Sequence, residues 1–82
     1  MNLQKIYDSI IERGLLRGLN KKKLNGYFEK HHIVPKCVGG KDEKSNYVLL
    51  TAKEHYICHM ILPYLYPNAN GLWVAVHRMT QS

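Results

Sequence analysis

Apolar side chains at Leu3, Ile6, Tyr7, Ile10 and Ile11 recur at helical spacing, and Lys5, Asp8, Glu12 and Arg13 fill the opposite face. The pattern predicts an amphipathic helix from residue 2 to about 16. Gly14 and Gly18 are expected to loosen or end it. From Leu19 to Gly26 the periodicity stops, and this stretch, with its lysine triplet, reads as a mobile linker. Tyr27 to about His32 reads as a short strand, followed by a stop at Pro35. Residues 36 to 45 are a polar loop around Gly39-Gly40, and Asn46 to Leu50 is a second short strand. The two strands are expected to pair antiparallel across the loop.

Thr51-Ala52-Lys53-Glu54 has the form of a capping box, in which Thr51 accepts from the Glu54 N–H and the Glu54 side chain reaches back to Thr51. It opens a helix carrying His55, Ile57, Cys58, His59 and Ile61. Pro63 is expected to end or kink that helix, because it lacks an N–H and crowds the carbonyl of His59. Pro67-Asn68-Ala69-Asn70-Gly71 reads as a turn, and a last helix is expected over roughly Leu72 to Met79, with Leu72, Val76 and Met79 at packing spacing. No internal repeat is present in the order helix, strand, loop, strand, helix, helix. The fold class implied is a small α+β domain.

Eighty-two residues suffice for one small domain with a marginal core, and such domains often rely on a metal or a partner. Cys37 and Cys58 form no C-x-x-C pair, so both read as reduced thiols in an intracellular compartment. No apolar run approaches the ~20 residues of a membrane span, so a soluble protein is expected, with no membrane partner. The net charge of +6 is concentrated. Arg13, Arg17, Lys21, Lys22, Lys23, Lys30 and Lys36 fall in one stretch with a single acid, Glu29, while the rest of the chain is neutral. A one-signed patch suits a polyanion such as a phosphodiester backbone, although a solvated lysine loop would give the same signal.

The histidines change this picture most. His31, His32, His55 and His59, four of the five, lie within a 29-residue window. His55 and His59 are one turn apart on one helix face, a spacing that suits two ligands of a small cation. By itself that spacing often arises by chance. Neighbouring strand residues diverge, so His31 and His32 divide naturally into one ligand and one base. A hairpin laid against the following helix brings His31 opposite His55 and His59. Asn46, at the start of the second strand, can tie the 36–45 loop to the backbone near the first, which would hold a base in place.

His31-His32-Ile33-Val34-Pro35, Gly39-Gly40, Asn46, Thr51, Glu54-His55 and His59 together resemble the HNH nucleases, which carry the ββα-metal finger. The match runs from about Tyr27 to Leu62. The Lys5-Ile6-Tyr7 helix and the Gly26-Tyr27 entry look like the free-standing, phage-encoded HNH enzymes, often classed as homing endonucleases. The resemblance implies an antiparallel hairpin plus a metal-binding helix within one domain: an N-terminal helix over 1–18, a basic linker over 19–26, the ββα-metal motif over 27–62, and a C-terminal turn and helix over 63–82. It implies that His31 and His55 are metal ligands, His32 the general base and Asn46 the structural asparagine. His59 would be a third ligand, as in the colicin-type nucleases.

There are two departures. Many HNH enzymes have an aspartate where this chain has His31; an all-histidine set is softer and leans toward zinc or nickel rather than strict magnesium dependence, with zinc, nickel, magnesium and manganese as the candidate ions. Members of the phage group usually continue into C-terminal DNA-recognition modules, whereas this chain stops at Ser82, which reads as either an excised catalytic domain or a minimal protein.

The implied reaction is hydrolysis of double-stranded DNA with one divalent cation, leaving 3′-hydroxyl and 5′-phosphate ends, in a phage-infected or bacterial cytoplasm. No small-molecule cofactor is implied. Lys21, Lys22, Lys23, Lys30, Lys36 and Lys53 are the expected backbone contacts. The rival reading is a catalytically silent nucleic-acid-binding module with a structural zinc, and His32 separates the two, since a structural site has no use for a base beside the metal. An RNA-directed or toxin-like nuclease is a third, weaker option. Cys58 is expected to pack inward, Cys37 has no assigned role, and His77 and Arg78 are expected to be surface or core residues. Tyr64, Tyr66 and Trp73 are expected in the core rather than as a stacking platform.

Overall fold

The computed structural model describes residues 1–69, 71–73 and 75. It is an α+β arrangement of a two-stranded antiparallel hairpin with helices before and after. Helix α1 spans Leu3–Arg17, with Asn2 as its cap: the Asn2 side chain accepts from the Lys5 N–H. Gly18 ends it, at φ 86°, a conformation that costs a side-chain-bearing residue energy. Tyr7, Ile10, Ile11 and Gly14 form its buried face.

Gly14 does not interrupt α1, contrary to the expectation from its helix propensity. It serves as a notch. A Cβ placed there would lie 2.2 Å from Val48 Cγ2 and 3.2 Å from the Leu49 carbonyl oxygen. The bare backbone lets α1 press against the second strand. The basic linker is also more ordered than its composition suggests: Lys21–Lys23 form a single 3₁₀ turn capped by Asn20.

Strand β1 spans Glu29–His32 and strand β2 spans Tyr47–Leu50, paired antiparallel as the sequence implies. His31 faces Val48 and His32 faces Tyr47. Asn46 falls just before β2, in a 3₁₀ turn over Lys44–Asn46. Helix α2 spans Ala52–Leu65 behind the expected capping box, with both hydrogen bonds made. It passes through Pro63 and ends at Leu65, so of the two outcomes expected of that residue, an end or a kink, it does not end there. Pro63 forfeits one helical bond, yet the ladder resumes with Tyr66 N–H donating to the Leu62 carbonyl. Complete burial of the Pro63 ring holds the helix in place.

Tyr7, Ile10 and Ile11 from α1, Val48 and Leu50 from β2, and Cys58, Ile61 and Leu62 from α2 make one core, joined by Leu72. Cys58 therefore packs inward as expected, with burial pushing its thiol up to about 12. Residues 71–73 and 75 are helical, where the last helix was expected. Val76, His77, Arg78 and Met79 lie outside the described residues. The aromatic expectation is corrected: Tyr66 packs against the core, but Tyr64 and Trp73 are exposed and meet edge to face at 5.6 Å. Tyr64 follows Met60 by one turn on the solvent face of α2, so its ring turns away from the core. No described helix is long and apolar enough to cross a membrane.

Candidate metal centre

Strand alternation turns His31 inward and leaves His32 on the other face of the hairpin. Helix α2 crosses that inner face and brings His55 and His59 to it. Among the described residues, these three histidines form a group whose potential ligand atoms all lie within 4.8 Å of one another. Their rings meet edge to face, with centroids 4.7 to 5.2 Å apart. A cleft of about 360 Å³ is lined by the three, together with His32, Lys30 and Lys36.

The nitrogens of His55 and His59 are spaced as a cation between them would need, with His31 at the edge of the same group. His55 Nδ1 donates to Glu29 Oε1 at 2.8 Å, which leaves Nε2 as its basic atom. Hydrogen bonds from Tyr27 and His55 hold the Glu29 carboxyl below its usual range, so it stays an acceptor. His55 Nε2 lies 3.1 Å from His59 Nε2. Two zinc–nitrogen bonds of ~2.0–2.1 Å at a tetrahedral angle span ~3.3 Å, so this separation fits a cation between two lone pairs as well as a shared proton. Among the described residues, His31 Nδ1 and His59 Nδ1 are buried without a hydrogen-bond partner. Orphaned buried nitrogens are uncommon; that of His31 suits an ion at this centre, whereas His59 Nδ1, on the ring edge away from His55, suits a water. Burial lowers His31 to about 3 and His59 to about 4, helped by the neighbouring histidines. Both are therefore neutral at physiological pH, the form a metal requires. A set of three neutral imidazoles fits a divalent metal cation.

His32 is bound differently. Its Nε2 lies 2.9 Å from Asp42 Oδ1, in the loop between the strands, and Tyr47 Oη donates to the same oxygen. These bonds, the Tyr47 one first, lower Asp42 to about 2. An ionised aspartate must accept, so His32 Nε2 carries the proton and Nδ1 is left basic. Asn46 makes the cross-loop tie expected of it. Its side-chain oxygen accepts from Val34 N–H, and its amide donates to the Val34 and Lys41 carbonyls, each at 2.9 Å. Gly40 sits so close to Val34 that no Cβ would fit, and the loop closes compactly beside His32.

The lysines divide into groups. Lys30 and Lys36 line the histidine cleft. Lys21 and Lys22 line a second groove of about 580 Å³, shared with Lys30 and with Lys44. Lys23 belongs to the same 3₁₀ turn but is not among the residues lining that groove, and Lys53, exposed on the first turn of α2, lines neither. Sequence reasoning missed Tyr7, Glu29, Asp42 and Lys44. Glu29 had a signal, since it lies two residues before His31 and so shares its strand face. Asp42 had none: it is one acid in a polar loop.

The fold and the three-histidine cluster define a small α+β domain with a candidate metal centre. The chain is similar to known proteins that include several from Enterobacteria phage T4. It is 53% identical over 72 residues to probable mobile endonuclease D, 50% over 66 residues to probable mobile endonuclease B, and 51% over 67 residues to probable mobile endonuclease E. These matches cover 88%, 80% and 82% of this chain but only 28%, 25% and 45% of those relatives, so the chain spans a quarter to somewhat under half of their length. No family model matches the chain, and no solved structure matches it.

Proposed function

We propose that this domain is the catalytic part of an HNH-type, metal-dependent DNA endonuclease. The observation that carries the reading is the division of labour between His31 and His32. One neighbour joins His55 and His59 around a common point, while the other keeps a free nitrogen and an orienting carboxylate. A purely structural zinc site gives no reason for the second arrangement. The names of the T4 relatives support nuclease activity independently.

In this reading His31, His55 and His59 hold one divalent cation. Once bound, it supplies positive charge where negative charge develops on the scissile phosphate. Asp42 orients His32, whose Nδ1 takes the proton of the attacking water. Asn46 keeps the loop closed so that this base stays in position. Lys30 and Lys36 hold phosphates at the cleft, and Lys21, Lys22 and Lys44 hold the backbone along the adjoining groove. The products carry 3′-hydroxyl and 5′-phosphate ends, and the substrate is double-stranded DNA in the cytoplasm of a phage-infected or bacterial cell. Domain limits of 1–18, 19–26, 27–62 and 63–82 serve as working boundaries.

The test is cleavage of supercoiled plasmid by the metal-stripped protein resupplied with magnesium, manganese, nickel or zinc. Nicked or linear product with at least one ion, and none with chelator, is expected. Tight zinc binding with no cleavage under any ion would favour the silent structural-zinc module.

A further inference from the structure

Tyr7 is an apolar-face residue of α1 by pattern, yet its polar end reaches the histidine centre. It is 4% exposed, and its ring meets that of His31 edge-on with centroids 6.0 Å apart. Its hydroxyl donates to the Ile33 carbonyl at 2.6 Å and lies 2.9 Å from His31 Nε2. A phenol has one proton. With that proton committed to Ile33, the oxygen can only accept from His31. Burial pushes the Tyr7 hydroxyl well above its ordinary range, so the proton is not lost at physiological pH.

We propose that Tyr7 is a positioning residue for the metal centre: its committed hydroxyl fixes His31 as the Nε2–H tautomer and leaves the Nδ1 lone pair for the cation. Nδ1 is the buried atom of His31 that has no partner among the described residues. The arrangement parallels that at His55, where Glu29 takes the Nδ1 proton and frees Nε2. The centre thus has an outer contact from β1 for one ligand and from α1 for another, and the two expose opposite ring nitrogens. Outer contacts of this kind set ligand orientation and typically change metal affinity 10–100-fold when removed, roughly. The inference rests on the metal reading above, and its test separates the two.

The test uses the whole chain, wild type and Tyr7→Phe, both metal-free and with zinc alone. Long-range proton–nitrogen NMR of the histidine rings reads the tautomer without metal. In the wild type, His31 should show a protonated Nε2 and a bare Nδ1. In Tyr7→Phe, which keeps the ring but not the acceptor, His31 should shift toward a mixture of tautomers. Calorimetric zinc affinity should fall by about 10–100-fold. A purely structural role would lower the melting temperature yet leave the tautomer and the affinity of the folded protein unchanged, and that result would overturn the proposal. So would a wild-type His31 with its proton on Nδ1, an observation that needs no variant to fold. If the wild type holds the expected tautomer but takes up no zinc, the metal reading fails and the role given to Tyr7 falls with it. A Tyr7 failure beside normal zinc uptake would leave the metal reading intact.

Discussion

Replacing Gly14 with alanine sets two effects of opposite sign against each other. Alanine in a helix interior is better than glycine by ~0.8–1.0 kcal/mol, so on propensity alone α1 should gain stability. The added Cβ, however, would stand 2.2 Å from Val48 Cγ2 and 3.0 Å from Leu50 Cδ2, where carbon contacts are comfortable at ~3.5–4.0 Å. Val48 is 1% exposed and β-branched, so it has little room to rotate. The Leu49 carbonyl at 3.2 Å blocks the other direction. The helix must therefore shift by about an ångström, and overpacking of this kind costs ~1–3 kcal/mol. The upper part of that range applies here, which leaves Gly14→Ala less stable by about 1–2 kcal/mol. Urea unfolding of the metal-free protein reads this directly. With a slope of ~1 kcal/mol/M, at the low end for small domains, the midpoint should fall by roughly 1–2 M at unchanged slope. A midpoint that holds or rises would show that α1 has slack against β2 and that the notch is incidental.

His32→Ala should lower cleavage by roughly 10²–10⁴-fold while leaving zinc affinity and fold nearly unchanged; a variant that cuts like the parent would remove His32 as the base. Reversing Lys21, Lys22 and Lys23 together to glutamate should flatten the slope of log DNA affinity against log salt by about 2 units, at ~0.9 per contact, since two of the three line the groove. Single-turnover cleavage at saturating DNA should persist, and an unchanged salt slope would make the triplet a solvated turn. The metal-free protein should also lose stability in mild acid. His31 near 3 and His59 near 4 resist protonation when folded, whereas the unfolded chain takes up protons from ~6.5 downward. Their contribution is complete above ~6.5 and declines as pH falls toward 4, by about 1.4 kcal/mol per pH unit for each histidine once the unfolded form is protonated. Equal urea midpoints at pH 7 and pH 5 would contradict the burial of these rings.

Patterns that repeat along the chain were legible. The period of α1, the strand alternation that separates His31 from His32, and the Thr51–Glu54 cap each state their geometry in sequence. The meeting of His31 with His55 and His59 followed once the hairpin was laid on the helix. What escaped were contacts that one residue makes with a distant element. Gly14 reads as a breaker because propensity is local, while its use depends on Val48. Pro63 reads as an end or a kink, and that the helix runs on through it depends on burial of its ring, which is not a local property. Tyr64 and Trp73 read as core because an aromatic residue does not announce which side of a helix end it occupies. Tyr7 did carry a hint, since a buried phenol needs a partner, but its sequence does not say that the partner is His31.

The way α1 is fastened has a bearing on how such a domain can be exchanged between proteins. Arg17 donates to the Leu49 carbonyl and to Glu54, so the far end of α1 clasps both the end of β2 and the start of α2. Tyr7, Ile10 and Ile11 supply part of the only sizeable core described. A recombination event with its breakpoint in the linker would transfer the histidines and strand them on a hairpin with one wall missing. The similarity to the T4 proteins runs over 66 to 72 residues, longer than the 27–62 stretch alone. For a protein engineer the lesson is about where to cut: a graft made from the histidine motif alone should arrive without the wall that α1 supplies.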